Sequence, residues 1–351
     1  MSAMTSTLKP PPPLVQPGVE QMDAPITIPN DTVFPPTQFT KFRYDAQKRR
    51  MPQCIAHRGY KAKFPENTMT AFKAAVDCGV QALETDVHVT KDEVVVLSHD
   101  PTLKRCYGIN KKIKDVTWAE IQELRTIAEP HQPMPKLKEL LDYLAQPGLE
   151  EIWLLLDIKL SNDAETIMRL LSSTIASVQP PKSKAWQERV LLGIWAAKYL
   201  PFAADYLPGF PVTHIGFSIP YARHFLTIPN ISFNMLLPML IAPGGRKFIR
   251  DAREKHGRPV YAWTVNERDK MEWCIRRKLD GVITDDPAKF LQVCEEFDEA
   301  AKKPWVELRV RGYMDMVRIY FFVTFMAFFF RKMLRPVASP ALIRREGQLK
   351  N

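Results

Sequence analysis

The sequence has no Cys-x-x-Cys pair, and no long apolar run occurs near its start. Its five cysteines, an odd number, lie beside or within apolar segments, at Cys54, Cys78, Cys106, Cys274 and Cys294. Free cysteine packs as a small hydrophobic residue, so this pattern predicts reduced thiols and a cytosol-facing protein. Because residues 1–30 lack the apolar core of a secretory leader, no signal peptide is expected.

The sequence also lacks zinc-ligand spacing, an RNA-binding signature and a basic recognition helix. Its formal net charge is +10, but most of the excess lies near the end of the chain. Residues 302–351 contain eleven Lys or Arg against Glu307, Asp315 and Glu346, a net charge of +8. The positive charge therefore belongs to a tail rather than to the core, and a nucleic-acid partner is not expected.

Composition and apolar patterning divide the 351 residues into five parts. Residues 1–50 are rich in proline, which resists helix and removes backbone donors, so a disordered Pro-rich arm is predicted. Residues 51–300 alternate between strand-like and helix-like patterns. A basic linker at 301–318, an aromatic segment at 319–330 and a basic tail at 331–351 follow.

Residues 51–300 predict an α/β fold, a TIM (β/α)8 barrel. Eight strand candidates lie at residues 53–57, 80–87, 93–98, 151–158, 189–195, 212–218, 260–265 and 281–285. Helical patterns lie at residues 68–78, 117–125, 136–146, 163–177, 246–256, 267–277 and 287–299. Several strands are nearly continuous apolar runs, as expected of a parallel sheet covered by helices. The segment 231–240 is either a further strand or an active-site loop.

Two acidic side chains, Glu84 and Asp86, are two residues apart on one strand candidate. Such side chains share one face, and an inward orientation is favoured because outward charges would be buried against apolar helices. Asp157 and Lys159 obey the same parity on another strand. The carboxylates would be neutralised either by a Mg²⁺ or Ca²⁺ ion or by Lys159 and Arg58 alone.

Two histidines follow strand candidates at the end where barrel enzymes carry out catalysis. His57 follows the first candidate and His99 the third, so both are candidate catalytic residues, although a histidine in such a place is often structural. His88 shares the parity of the carboxylates but lies further out, and we interpret it as a surface residue. The remaining histidines lack polar neighbours of this kind: His131, His214, His224 and His256.

Seven short motifs, in this order, resemble those of the glycerophosphodiester phosphodiesterase (GDPD) family. They are His57-Arg58-Gly59, Pro65-Glu66-Asn67-Thr68, Glu84-x-Asp86, His99-Asp100, Asp157-x-Lys159, Trp263-Thr264-Val265-Asn266 and Gly281-Val282-Ile283-Thr284-Asp285. The resemblance covers residues 54–290. Each motif alone is weak, but seven in register make the resemblance specific.

The resemblance implies a metal-dependent barrel in which Glu84, Asp86 and Asp157 are metal ligands. Mg²⁺ is the expected ion, with Ca²⁺ as the alternative. It also implies that His57 and His99 form the acid–base pair, in an order that the sequence leaves open. Bacterial members usually have Glu where this chain has Asp157, and Asp-x-Lys is similar to the fungal phosphatidylglycerol phospholipase C branch and to sphingomyelinase D enzymes.

Four further residues are expected to contact phosphate or substrate: Arg58, Lys159, Glu66 and Trp263. For Trp263, stacking on glycerol or an acyl chain and packing as a core aromatic residue are equally good interpretations.

The aromatic segment at 319–330 has seven aromatic residues in twelve and is flanked on both sides by basic residues. As a helix it would span ~18 Å, short of the ~30 Å hydrocarbon core of a bilayer. It is therefore predicted to be an interfacial or re-entrant anchor on an anionic membrane surface. A helix packed on the barrel and a true transmembrane span are the alternatives.

A membrane anchor on a phosphodiesterase barrel predicts a lipid substrate. In the chemistry that the resemblance implies, a hydroxyl next to the phosphodiester attacks phosphorus. Phosphatidylglycerol has this hydroxyl on its headgroup, lysophospholipids have it on their backbone, and phosphatidylcholine has neither. The leading hypothesis is a membrane-associated phospholipase C that hydrolyses phosphatidylglycerol to diacylglycerol and glycerol phosphate.

Three alternatives remain open: a lysophospholipase D, a soluble glycerophosphodiester phosphodiesterase, and an inactive barrel that serves as a membrane interaction module. The expected location is a cytosol-facing membrane, such as the endoplasmic reticulum, a lipid droplet or the mitochondrial surface.

Overall fold

The computed structural model describes residues 33–300 and four isolated helical positions beyond them, Val317, Arg318, Phe321 and Phe325. Within residues 33–300, eight parallel strands close into a barrel. We number only these strands: β1 Gln53–His57, β2 Ala82–Val89, β3 Trp153–Ile158, β4 Val190–Ile194, β5 Val212–Gly216, β6 Ser232–Leu236, β7 Val260–Trp263 and β8 Gly281–Thr284. Ile283 of β8 pairs with Ile55 of β1, which closes the ring. The predicted TIM barrel is confirmed.

Helices connect most of the consecutive barrel strands. The longer ones are Met69–Asp77, Leu137–Leu144, Ala164–Ala176, Leu200–Tyr206, Ile219–Phe225, Leu237–Ile241, Gly245–Arg250, Arg268–Arg276 and Pro287–Glu296. Single turns of α, 3₁₀ or π helix occur at Gln38–Thr40, Lys104–Tyr107, Ile113–Asp115, Trp118–Ile121, Trp186–Glu188, Ala197–Tyr199 and Asp251–Lys255. Side-chain caps fix several starts: the Asp163 carboxylate accepts a hydrogen bond from the Thr166 N–H at 2.9 Å, which satisfies a donor left free in the first turn.

The strand candidate at 93–98 is real but does not belong to the barrel, so that part of the prediction is wrong. The short strand Val95–Leu97 pairs antiparallel with the end of β2, where Leu97 lies opposite Val87. Three apolar residues in a row fit such a hairpin as well as they fit a barrel strand. The residues that follow this strand therefore enter the site from an appended hairpin.

The missing barrel strand comes from the segment 231–240. It contains β6 and, directly after it, the helix Leu237–Ile241. Pro238 lies in the first turn of this helix, where its missing N–H leaves no bond unmade. Because the helix follows the strand without a loop, the hydrophobic residues of this segment follow neither strand nor helix periodicity throughout. The sequence pattern therefore did not identify the strand.

The predicted disordered arm over residues 1–50 is wrong for its last part. Residues 33–50 fold against the barrel, and the two-residue strands Arg43–Tyr44 and Arg50–Met51 pair with each other. The ring of Phe39 lies 5.8 Å from that of Trp153 inside the barrel. Folding this segment costs conformational entropy, and the burial of its apolar side chains against the barrel offsets that cost. Residues 1–32 lie outside the described part.

Apolar side chains fill the barrel interior below the carboxyl ends of the strands. The inward cluster comprises Ile55, Ala82, Trp153, Leu155, Leu191, Tyr261 and Ile283, with Phe39 and Trp263 packed against it. Packed side chains of this kind make the barrel a solid core rather than a pore.

In the tail, the structure describes only single positions. Phe321 is 72% exposed and Phe325 is 59% exposed. The predicted linker, aromatic anchor and basic tail otherwise lie outside the described residues. In the part of the chain that is described, no helix has the length and apolar character needed to cross a membrane.

Candidate active site

Three buried carboxylates meet at the carboxyl end of the barrel. Glu84 and Asp86 on β2 are 4% and 0% exposed, and Asp157 on β3 is 6% exposed. Parallel pairing places Asp86 directly opposite Asp157. One ligand oxygen from each of the three residues lies within 4.8 Å of the others. The inward orientation inferred from strand parity is what the structure has.

Two cations lie among these carboxylates. The Lys159 ammonium nitrogen is 2.6 Å from Oδ1 of Asp86 and 2.5 Å from Oδ2 of Asp157. The Arg58 Nε is 3.2 Å from Oδ2 of Asp86. Burial alone would raise the pKa of Asp86, but Lys159 and Arg58 outweigh it and hold that pKa far below its usual range. The two cations therefore favour the ionised form of Asp86.

Glu84 has the opposite electrostatic balance. Burial, followed by the charges of Asp86 and Asp157, raises the pKa of Glu84 well above its ordinary value. Its Oε2 accepts a hydrogen bond from the backbone N–H of Arg58 at 2.9 Å. Two cations balance only two of the three buried carboxylates, so without a further positive charge Glu84 is favoured in its protonated form. A divalent cation with a preference for oxygen ligands would supply that charge and favour ionised Glu84, and the three residues fit such an ion.

His57 is oriented by a carboxylate from the last barrel strand. Its Nδ1 lies 2.6 Å from Oδ1 of Asp285, which directly follows β8. Asp285 in turn accepts a hydrogen bond from the Asn266 side chain at 2.8 Å, and the Lys61 ammonium lies 3.5 Å away. Because Nδ1 donates to Asp285, Nε2 is the nitrogen left for the substrate.

The residue after Arg58 must be glycine. Gly59 has φ +80°, and a Cβ at this position would lie 2.7 Å from the backbone carbon of Ala71. The left-handed conformation and the close helix exclude any other side chain here. This turn directs Arg58 back over the carboxylates, which explains the His-Arg-Gly motif.

His99 reaches the site from the appended hairpin rather than from a barrel strand. The Ser98 N–H donates to the carbonyl of Asp86 at 3.0 Å, which fixes the hairpin to β2. The Nδ1 of His99 lies 2.8 Å from Oδ1 of Asp100. Both histidines thus have a carboxylate on Nδ1. His88 is not the surface residue predicted: it is 4% exposed, and its Nε2 lies 3.2 Å from the carbonyl of His99.

Three functional residues were missed at the level of the sequence. Asp285 orients His57, Trp195 donates from its indole N–H to Oδ1 of Asp157 at 2.7 Å, and Asn67 donates to Oδ2 of Asp86 at 2.8 Å. Asp285 and Asn67 lie in motifs that carried the family resemblance, which was the available signal. Trp195 directly follows β4, and no sequence motif identified it.

Glu66 and Trp263 occupy different surroundings. Glu66 accepts hydrogen bonds from Arg58 at 2.9 Å and from Arg105 at 2.7 Å, and it lines a separate cavity of ≈ 340 Å³. It therefore positions Arg58 rather than facing the cleft that contains the histidines. Trp263 does line that cleft, with its ring 5.5 Å from the ring of Trp195.

One small cleft of ≈ 90 Å³ brings most of the predicted site together. It is lined by His57, Arg58, Glu84, His99, Asp157, Lys159, Trp195, Ile215, Asn234, Trp263, Thr264 and Ile283. Asp86 lies beneath them, fully buried. Two oriented imidazoles, fixed cations and a carboxylate cluster are the groups needed for general acid–base chemistry on a phosphate ester.

Comparison with known proteins agrees with this chemistry. Residues 57–289 match the model of the glycerophosphoryl diester phosphodiesterase family. Rat lysophospholipase D is 27% identical over 307 residues, which cover 72% of this chain and 91% of that protein.

Two solved structures are similar in fold. A glycerophosphodiester phosphodiesterase from Thermotoga maritima has a TM-score of 0.55 and 25% identity, covering 69% of this chain and 98% of its own. A phosphodiesterase from Oleispira antarctica, in complex with the product sn-glycerol-3-phosphate, has a TM-score of 0.61 and 20% identity, covering 70% and 98%. The chain belongs to the glycerophosphoryl diester phosphodiesterase family, which depends on a divalent metal, and it is a hydrolase of phosphodiester bonds.

Proposed function

We propose that the protein is a membrane-associated, Mg²⁺-dependent phospholipase C that hydrolyses phosphatidylglycerol to diacylglycerol and glycerol phosphate. The observation that carries this proposal is the pair of imidazoles, His57 and His99, each with a carboxylate on Nδ1, in one cleft with Arg58 and Lys159. This arrangement suits proton removal from a substrate hydroxyl and proton donation to a leaving alcohol within one site.

The proposed reaction has two balanced steps. The 2-hydroxyl of the glycerol headgroup attacks phosphorus, the bond from phosphorus to the diacylglycerol oxygen breaks, and a five-membered cyclic phosphate forms. Water then opens the ring to glycerol phosphate. Internal attack replaces an encounter of two molecules, which is worth up to ~7–11 kcal/mol in well-oriented cases.

The side chains divide this work between proton transfer and charge stabilisation. One imidazole removes the hydroxyl proton and the other protonates the leaving oxygen, through the nitrogens not engaged by Asp285 and Asp100. Arg58 and Lys159 stabilise negative charge on the non-bridging oxygens. Glu84, Asp86 and Asp157 would hold the divalent ion, which supplies further charge stabilisation when bound; Ca²⁺ is the alternative to Mg²⁺.

The headgroup chemistry supports phosphatidylglycerol over diacyl lipids whose headgroup lacks a hydroxyl next to the phosphodiester, such as phosphatidylcholine. Internal attack requires a free hydroxyl next to the phosphodiester, and a diacyl lipid has none on its own glycerol. Phosphatidylglycerol provides one on the headgroup, so the alcohol that leaves is diacylglycerol. Phosphatidylcholine provides none and is expected not to react.

Membrane association is supported by the tail and by the apolar part of the cleft. Phe321 and Phe325 are helical, four residues apart and therefore on one face, and both are exposed. Exposed aromatic side chains with basic flanks suit an interfacial helix on an anionic surface. In the cleft, Trp195 and Trp263 offer apolar surface beside the phosphate-binding groups.

Lysophospholipase D activity is the second candidate function. Lysophospholipase D proteins of rat, mouse and human are 26–27% identical to this chain. A lysophospholipid has the attacking hydroxyl on its backbone, so the headgroup alcohol would leave. Soluble glycerophosphodiesters would react in the same way.

Incubation of the purified protein with three substrates distinguishes these activities. Phosphatidylglycerol, lysophosphatidylcholine and glycerophosphocholine are each supplied with Mg²⁺, and all products are resolved by mass spectrometry. The proposal expects diacylglycerol and glycerol phosphate from phosphatidylglycerol, faster than choline from either other substrate. Failure to release diacylglycerol would overturn it, and choline release from lysophosphatidylcholine would then favour the second candidate.

A further inference from the structure

Arg105 binds two carboxylates of the site at once. Its Nη1 and Nη2 lie 2.9 and 2.7 Å from the two oxygens of Glu66, and its Nε and Nη2 lie 2.7 and 3.1 Å from the two oxygens of Asp100. A guanidinium is planar and offers five N–H donors in a fixed fork, so it can make both bidentate contacts together. A bidentate network of this kind holds side-chain geometry better than a single exposed ion pair does.

Each of these carboxylates also binds a residue of the catalytic cleft. Oε1 of Glu66 accepts a hydrogen bond from Nη1 of Arg58 at 2.9 Å, and Oδ1 of Asp100 lies 2.8 Å from Nδ1 of His99. Arg58 and His99 line the cleft, whereas Arg105 lines the separate cavity of ≈ 340 Å³. Arg105 is thus connected to two cleft residues through two carboxylates, from outside the cleft.

The two carboxylates come from separate parts of the chain. Glu66 lies in the segment that follows β1, Asp100 follows the appended hairpin strand, and Arg105 lies in the single helical turn Lys104–Tyr107. The hydrogen bond from Arg105 is the largest cause of the low pKa of Asp100, about 2, which favours an ionised carboxylate beside the imidazole of His99. Without Arg105, each carboxylate would lose two hydrogen bonds, and the two segments would lose the side chain that joins them.

We propose that Arg105 is a positioning residue, which holds Glu66 and Asp100 together and thereby fixes Arg58 and His99 relative to each other. In the proposed reaction Arg58 stabilises charge on the phosphate and His99 transfers a proton, so both must meet the same phosphate group at a fixed separation. A displacement of about 1 Å in such an arrangement can cost about 10²-fold in rate. The inference rests on the roles proposed above for Arg58 and His99, and it applies to whichever phosphodiester the protein hydrolyses.

Arg105→Ala tests the inference in the full-length protein. The kcat on the preferred substrate should fall by at least about tenfold, because the two carboxylates lose their common partner. Arg169→Ala is the matched control, since the Arg169 side chain is 45% exposed and pairs with Glu93 at 2.8 Å. The control should leave kcat unchanged. A kcat for Arg105→Ala equal to that of the control would overturn the inference.

Guanidinium rescue distinguishes positioning from a loss of folding. The Arg105 side chain is 48% exposed and lines a cavity, so free guanidinium can occupy the space that Arg105→Ala leaves. Guanidinium chloride, at concentrations below those that unfold the protein, should raise the kcat of this variant several-fold and leave Arg169→Ala unchanged. Sodium chloride at the same ionic strength should have no such effect. Equal activation of Arg105→Ala by both salts, or activation by neither, contradicts the positioning role.

The inference and the proposed function fail separately. The kcat of Arg105→Ala is measured on whichever of phosphatidylglycerol, lysophosphatidylcholine and glycerophosphocholine is hydrolysed, so a failure to release diacylglycerol leaves this test in place. His99→Ala is assayed beside it and should lose turnover. If His99→Ala is inactive and Arg105→Ala is not impaired, the positioning role alone is overturned. If both variants retain the original kcat, the acid–base role of His99 is overturned as well.

Discussion

His57 and Asp285 form a 2.6 Å hydrogen bond between Nδ1 and Oδ1. The two residues are 228 positions apart in the chain, and parallel pairing of the first and last barrel strands brings them together. The bond selects one tautomer of His57 and leaves Nε2 for proton transfer. Asp285 is thus a positioning residue for a histidine that we propose to be catalytic.

Replacing Asp285 with Asn should lower kcat by about 10²–10⁴-fold, because the imidazole loses the partner that fixes its tautomer and stabilises its protonated form. Substrate binding should change little, so KM stays near its original value. Steady-state kinetics on the preferred substrate give both numbers.

Asp142→Asn is the control for loss of a carboxylate, since Asp142 pairs only with Lys138 on an exposed helix face in the described structure. It should leave kcat unchanged. An Asp285→Asn variant with the kcat of the original protein would show that His57 needs no such partner.

Acid should weaken the fold through the same pair. Burial alone would raise the pKa of Asp285, but the hydrogen bond and charge of His57 lower it from 3.8 to about 2. A carboxyl with a lowered folded-state pKa contributes stability above its unfolded value, and that contribution disappears as pH falls from about 4 toward 2.

Chemical denaturation at several pH values measures this contribution. The original protein should exceed Asp285→Asn in free energy of unfolding by about 2 kcal/mol above pH 4, and the difference should shrink toward zero near pH 2. A difference that does not change with pH would contradict the lowered pKa.

Metal removal should destabilise the protein, because the free energy of ion binding is lost and Glu84 must take up a proton to relieve the charge of the buried cluster. Chelator treatment is expected to lower the melting temperature and abolish activity, and added Mg²⁺ should restore both. At 100 times the dissociation constant, a bound ion contributes about 2.7 kcal/mol of stability.

Glu84→Gln separates the metal from the fold. The amide resembles the protonated carboxyl that the raised pKa of Glu84 favours without metal, so the metal-free variant should melt near the metal-free original protein, while its response to Mg²⁺ shrinks. A variant that gains as much stability from Mg²⁺ as the original protein would exclude Glu84 as a ligand.

Removal of residues 305–351 should release the protein from anionic vesicles and spare hydrolysis of a short-chain, water-soluble substrate. The apolar and basic contributions to membrane binding lie in this segment, and the barrel lies outside it. Vesicle sedimentation and a soluble-substrate assay measure the two effects. Continued sedimentation of the truncated protein would show that the barrel itself binds the membrane.

The sequence was most informative about side-chain direction on strands, where alternate residues face the same side. The inward orientation of Glu84 and Asp86 followed from the two-residue alternation of a strand, and Asp157 with Lys159 followed in the same way. His99 was predicted for the wrong reason, since a three-residue hairpin strand has the same apolar pattern as a barrel strand. The orienting roles of Asp285 and Trp195 depend on contacts across the barrel, which no local pattern records.

The β1–β8 pairing that closes the barrel makes the imidazole of His57 dependent on the last strand to be synthesised. A ribosome-bound chain that has not yet extended past residue 285 contains His57, His99 and all three carboxylates but lacks the partner of His57. Nascent chains and fragments that end before β8 therefore lack the carboxylate that orients the imidazole of His57.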